Sequence, residues 1–159
     1  MEINAKSAIL LEPKSGTVLY ELNADERLAP ASITKIMSLL LIMEAIDTGR
    51  ITLETVITAS EHACSMGGSQ IWLEPNEQMT VHELLKAVVI ASANDASVAL
   101  AEHIAGTEDN FVALMNEKAK NMGLSNTLFS NCTGLPKATQ YSCAKDVALM
   151  LKSLLRHKN

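Results

Sequence analysis

The 159-residue chain is the length of one domain, and with 48% hydrophobic residues it can bury a core, which argues against intrinsic disorder. Eighteen acidic against thirteen basic residues give a formal net charge of −5, and the basic residues are scattered, so nucleic acid is not an expected partner. No apolar run reaches the roughly 18 residues of a membrane span; the nearest, Ile36 to Ile46, ends in Asp47-Thr48-Gly49.

Met1-Glu2-Ile3-Asn4 has neither the basic nor the apolar segment of a signal peptide, which leaves a cytoplasmic chain or one whose leader has been removed. Ser7 to Leu11 reads as a buried strand, Pro13-Lys14-Ser15-Gly16 as a turn and Thr17 to Tyr20 as the returning strand. A polar loop, Asn23 to Arg27, precedes a helix that carries Ser32 and stops at Gly49. Ile51 to Ala59, rich in β-branched residues, is predicted to be extended, and Gly67-Gly68-Ser69 forms a flexible loop before Ile71-Trp72-Leu73. Thr80 and Glu83 form a capping box for a helix through Ile90. After a break at Ser92-Ala93-Asn94 a helix runs from Asp95 to Ala105, closed by Gly106. Thr107 caps the next helix, to Met122; Ser125 to Tyr141 is a long polar loop; Ser142 caps a last helix, Ala144 to Leu155. The expected fold class is α+β, mostly helical, with a single hairpin over residues 6–22, a helical region over 30–159 and no interdomain linker.

Chemistry concentrates at Pro30-Ala31-Ser32-Ile33-Thr34-Lys35. Helical positions i and i+3 share a face, so the Lys35 amine can lie beside the Ser32 hydroxyl. A serine is a weak nucleophile until a base takes its proton. Lysine serves as that base once burial lowers its pKa, and the apolar run Leu39 to Met43 supplies the burial. A lone SxxK is weak evidence; Ser142-Cys143-Ala144-Lys145 is another, where the serine reads better as a helix cap. Ser92-Ala93-Asn94 lies between two helices, where side chains can reach a cleft. One reading has Ser92 ending a helix and Asn94 or Asp95 capping the next. In the other, Ser92 passes a proton to a leaving group and Asn94 holds a substrate amide.

Taken together, these motifs resemble those of serine-type D-alanyl-D-alanine carboxypeptidases, low-molecular-mass penicillin-binding proteins whose signature is SxxK, an SxN triad and KTG. Similarity extends to Ile9 to Glu12, Ser15 to Glu21, Gly68-Ser69-Gln70-Ile71, Asn94-Asp95-Ala96 and Gly134-Leu135-Pro136, covering nearly the whole chain. The resemblance implies the mostly helical part of a β-lactamase/transpeptidase-like domain spanning 1–159, its central sheet incomplete. It implies Ser32 as nucleophile on the D-Ala-D-Ala peptide bond, Lys35 as base, Ser92 as proton relay and Asn94 as substrate-binding residue that also fixes Lys35. The Ser32 N–H becomes one oxyanion donor. Peptidoglycan stem peptides ending in D-Ala-D-Ala and β-lactams are the implied ligands, and the cell envelope the implied location; no cofactor or metal is implied. KTG is absent: Lys14-Ser15-Gly16 sits in the hairpin turn, upstream of Ser32. The expectation is a C-terminally truncated, catalytically impaired chain whose apolar Ser7–Leu11 edge self-associates or accepts strands from a second polypeptide.

Three alternatives are weaker. A class A β-lactamase needs a carboxylate after SxN to activate the deacylating water, and from Leu124 onward there is no glutamate and only Asp146, inside a helix. A non-catalytic binding or structural fragment is favoured by the missing KTG. A metalloenzyme is disfavoured because His62, His82, His103 and His157 lack ligand spacing, and Lys86 stands where His82-Glu83 would need a second histidine. Met37 and Met43 read as core, Trp72 as packed or lining a cleft wall. Cys64, Cys132 and Cys143 read as small hydrophobes, with one bridge possible.

Overall fold

The computed structural model describes residues 3–157; Met1 and Glu2, part of the stretch read for a leader, and Lys158 and Asn159 lie outside the described residues. Strands β1 (Ala8–Leu11) and β2 (Val18–Leu22) form the expected antiparallel hairpin, paired Ala8 with Leu22 and Leu10 with Tyr20. Its turn is held by Glu12, whose carboxylate accepts the Lys14 N–H and the Ser15 hydroxyl. A single 3-10 turn (Ala31–Thr34) leads into α1 (Lys35–Asp47), so Ser32 sits ahead of the α-helix and Lys35 is its first residue.

Two elements went unread in the sequence. Only Val56–Thr58 of the predicted extended stretch is a strand, β3, and it pairs with β4 (Gln78–Thr80) as a second antiparallel hairpin. Between them lies one short helical turn, α2 (Glu61–Cys64). The fold therefore has two small two-stranded sheets among the described residues. Helix α3 (Val81–Ala91) begins at the Thr80–Glu83 capping box, with both reciprocal bonds made.

Helix α4 (Asn94–Ala105) runs through the middle of the molecule. Every residue from Asn94 to Ala101 is buried, as expected of a helix covered on all sides. Its small residues Ala96, Ser97, Ala99 and Ala101 let α1, α3 and α5 (Glu108–Asn121) approach closely. Helix α5 is capped by Thr107 and carries Glu108 and Asp109 in its first turn and Lys118 and Lys120 in its last, each matched to the helix dipole. Helix α6 (Ala144–Leu154) packs on α1 and β1. Its cap is Cys143, whose sulfur accepts the Asp146 N–H at 3.5 Å, not Ser142 as predicted. Ser142 is instead drawn into a bridge with Leu28, and its hydroxyl bonds Thr127.

Met37 and Met43 are core, as are Leu40, Ile42, Leu100 and Phe111. All three cysteines are free thiols, with Cys132 and Cys143 buried. No helix among the described residues is long and apolar enough to cross a membrane.

Candidate active site

Ser32 is exposed while Lys35, three residues on, is 4% exposed. The Lys35 amine donates to Asn94 Oδ1 at 2.7 Å and to the Thr133 carbonyl at 2.7 Å, and it lies 3.4 Å from Ser32 Oγ. Burial holds its pKa below that of a free lysine; the neighbouring Cys132 pulls weakly the other way. Both short bonds end on oxygens that can only accept. A neutral amine therefore spends its two N–H groups there and leaves its lone pair for the Ser32 hydroxyl. The Ser32 N–H donates to no described residue, in keeping with a free donor at the mouth of a helix.

Asn94 is neither cap nor spectator. The cap position of α4 is Ala93, without a side-chain bond. Asn94 Nδ2 donates to the Gly67 carbonyl (2.7 Å) and its backbone N–H to the Ser69 carbonyl (2.7 Å), which ties α4 to the 67–73 loop. Asp95, fully buried, accepts the N–H groups of Ile71 (3.1 Å) and Leu73 (3.1 Å). Between those clamped amides Trp72 stands 76% exposed, so it does not pack as one sequence reading had it. Asp95→Ala strands two loop donors away from water, a loss of about 1–3 kcal/mol each. A fall in thermal midpoint well beyond that of a surface aspartate control is the expected result.

Ser92 closes α3 in a left-handed conformation (φ 54°, ψ 35°). Its side chain makes no hydrogen bond to a described residue, and none joins it to Lys35 or Ser32. Ala31 (φ 46°) and Trp72 (φ 63°) are left-handed as well. Each such non-glycine residue costs about 1–2 kcal/mol, and strain of this kind gathers at functional sites.

Sequence reading missed the third wall of the site. The stretch taken as a polar loop contains buried Asn131, Cys132, Thr133 and Gln140. Besides offering Thr133 O to Lys35, it receives the Ser38 hydroxyl on the Cys132 carbonyl (2.7 Å). Glu108 anchors it from α5 by accepting the Cys132 N–H (3.1 Å), and its other oxygen meets His62 Nε2 at 2.8 Å. Gly134, at φ +89°, lies flat against the turn that carries Ser32: a Cβ there would stand 1.8 Å from the Ala31 carbonyl oxygen. The motif Gly134-Leu135-Pro136 was the one visible signal.

The architecture is that of the penicillin-binding, β-lactamase-like transpeptidases. The chain belongs to the D-alanyl-D-alanine carboxypeptidases of peptidase family S11, which match over residues 1–159. It is 59% identical over 155 residues to the D-alanyl-D-alanine carboxypeptidase DacF of Bacillus subtilis, an alignment covering 98% of this chain and 40% of that protein. Penicillin-binding protein 5 from Haemophilus influenzae superposes with a TM-score of 0.94 at 38% identity, covering 98% of this chain and 46% of that one. Penicillin-binding protein D2 from Listeria monocytogenes, solved in its ampicillin-bound form, superposes with a TM-score of 0.83 at 28% identity, covering 96% of this chain and 62% of that one. The chain thus spans about 40% of the length of the curated relatives it matches.

Proposed function

We propose that this chain carries the acylation half of a serine D-Ala-D-Ala carboxypeptidase acting on peptidoglycan stem peptides, and that β-lactams acylate the same serine. The observation that carries the reading is the Lys35 amine, buried, bound to Asn94 and Thr133 and left with its lone pair towards Ser32. Ser32 Oγ attacks the carbonyl carbon between the two D-alanines and gives its proton to Lys35. The Ser32 N–H stabilises the oxyanion. As the C–N bond breaks, Ser92 relays a proton to the departing D-alanine amine, while Asn94 Nδ2 holds a substrate amide. Water then cleaves the ester and restores Ser32. The serine–lysine separation of 3.4 Å is at the long end of hydrogen-bond reach, and catalytic hydrogen bonds of this kind shorten in the substrate complex.

Residues 1–159 contain no Lys-Thr-Gly, the motif that by resemblance carries the second oxyanion donor and the carboxylate clamp of the family. Loss of one oxyanion donor costs on the order of 10²–10³ in kcat. A fragment limited to residues 1–159 is accordingly expected to be slow or inactive in D-alanine release. By kinship with cell-wall enzymes it works in the cell envelope. Mass spectrometry after incubation with benzylpenicillin tests the assignment: a penicilloyl adduct on Ser32, absent from Ser32→Ala, is expected. An unmodified wild-type protein leaves the competing reading, a scaffold without turnover.

The sheet makes its own prediction. Beyond β2, no strand among the described residues pairs with β1, and Leu10 and Leu19 are exposed. An open apolar edge invites pairing. Light scattering on a concentration series is expected to give a mass above that of the monomer, and Leu10→Lys to reduce it.

A further inference from the structure

Thr34 and Gln140 are separated by 106 positions in the sequence, yet a side-chain amide network joins them. Gln140 Oε1 accepts the N–H groups of Ser130 (2.8 Å) and Asn131 (3.1 Å), and its Nε2 donates to Thr34 Oγ1 (3.4 Å) and to Asn131 Oδ1 (3.3 Å). Asn131 Oδ1 in turn accepts the backbone N–H of Gly134 (2.8 Å) and of Thr133 (3.3 Å), and Asn131 Nδ2 donates to the Leu135 carbonyl (2.8 Å). Both amides are buried. One side-chain amide thereby folds residues 131–135 into a tight turn. That turn has two working faces: the Thr133 carbonyl that receives Lys35, and Gly134, which abuts the Ala31–Ser32 peptide.

We propose that Asn131, oriented by Gln140, is a positioning residue that sets the base and the nucleophile relative to each other. The inference rests on the roles proposed above for Ser32 and Lys35. Neither amide touches the reacting atoms; each acts through the turn. The neutrality of Asn131 matters as much as its shape. A carboxylate at this position keeps the acceptor oxygen, loses the N–H that Leu135 accepts, and brings a negative charge into the turn that receives Lys35, where a nearby anion favours the ammonium form. Shape and charge can therefore be separated by two substitutions. Cys132, on the same turn, is the other titratable group beside Lys35, and burial keeps its thiol protonated.

The test is the rate of acylation by a fluorescent penicillin measured against pH for wild type, Asn131→Ala, Asn131→Asp and Gln140→Ala, with circular dichroism and thermal midpoints for each. Asn131→Ala is expected to lower the plateau rate by about 10²-fold, the cost of roughly 1 Å of misplacement. Asn131→Asp, which keeps the bonds to Thr133 and Gly134 and loses the one to Leu135, is expected to recover part of that plateau, with its rising limb displaced to higher pH. Gln140→Ala leaves Asn131 in place but unaimed, and gives a smaller loss; it carries the test if Asn131→Ala does not fold. A wild-type plateau in folded Asn131→Ala or Gln140→Ala, or an unmoved limb in Asn131→Asp, overturns the proposal. If wild type itself is not acylated, the functional reading fails separately. The Lys35 amine is then titrated by NMR in wild type and Asn131→Asp: a shift to higher pH upholds the positioning turn, and coincident curves overturn it.

Discussion

Replacing Lys35 with alanine is expected to slow acylation of Ser32 by about 10²–10⁴-fold, the usual worth of a positioned general base. The pH profile identifies the cause. A lysine base works only when neutral, and burial places the Lys35 pKa below the 10.5 of a free lysine. Wild-type acylation therefore rises with pH through that lowered pKa and levels off above it, whereas Lys35→Ala is slow and flat over the same range. A stability measurement gives an independent check. The unfolded amine keeps its proton up to about 10.5, while the folded one sheds it earlier, so Lys35 makes the fold more stable as pH climbs between the two values. Cys132 works in the opposite sense: burial raises its thiol pKa, so the unfolded state loses its proton first and stability falls with rising alkalinity. The Lys35 contribution is thus read as the difference between wild type and Lys35→Ala in urea unfolding at a series of pH values. A difference that stays constant across the series would falsify the depressed amine.

Gly134→Ala is expected to be the most damaging single-methyl addition near the site. Its Cβ would need the space held by the Ala31 carbonyl, 1.8 Å away, and the φ of +89° is one that side chains resist. Something must shift, and both neighbours are backbone. The cost is roughly 3 kcal/mol in stability. Because the atoms pushed belong to the Ala31–Ser32 peptide, acylation falls as well, by about 10²-fold. Chemical denaturation and penicillin labelling measure the two effects side by side. Gly123→Ala is a control with a similar backbone demand (φ +73°) and open space around it; it is expected to lose some stability and keep its labelling rate.

What could be read from the residues in order was whatever depends on near neighbours. Thr80 and Glu83 satisfy each other within one turn, Thr107 caps α5 by reaching Asn110, and Ser32 and Lys35 lie one turn apart. These interactions need no knowledge of the rest of the chain. Strand β4 escaped because it is three residues long, Gln78–Thr80, and gains its identity only from β3 across a 19-residue connection that contains α2. The Cys143 cap escaped for a related reason: Ser142, the better capping residue by type, is withdrawn by its pairing with Leu28, more than a hundred positions away. The candidate site divides along the same line. Ser32, Lys35 and Asn94 stand in short motifs, but Thr133, Asn131 and Gln140 come from a stretch whose polar composition resembles a surface loop. They are inside because each polar group there has a partner, and among the described residues no buried side-chain nitrogen or oxygen lacks one. Composition reports the polarity and says nothing of the pairing.

Trp72 is the sole tryptophan in the chain, and it is held out into water by a backbone fixed on both sides. Its indole is therefore a native optical probe of the loop that Asn94 and Asp95 secure. Emission from a single, water-facing fluorophore changes whenever that loop is covered or rearranged, so the loop can be followed in real time without a dye, and the signal reports on the segment tied to Asn94 and Asp95 instead of on global unfolding.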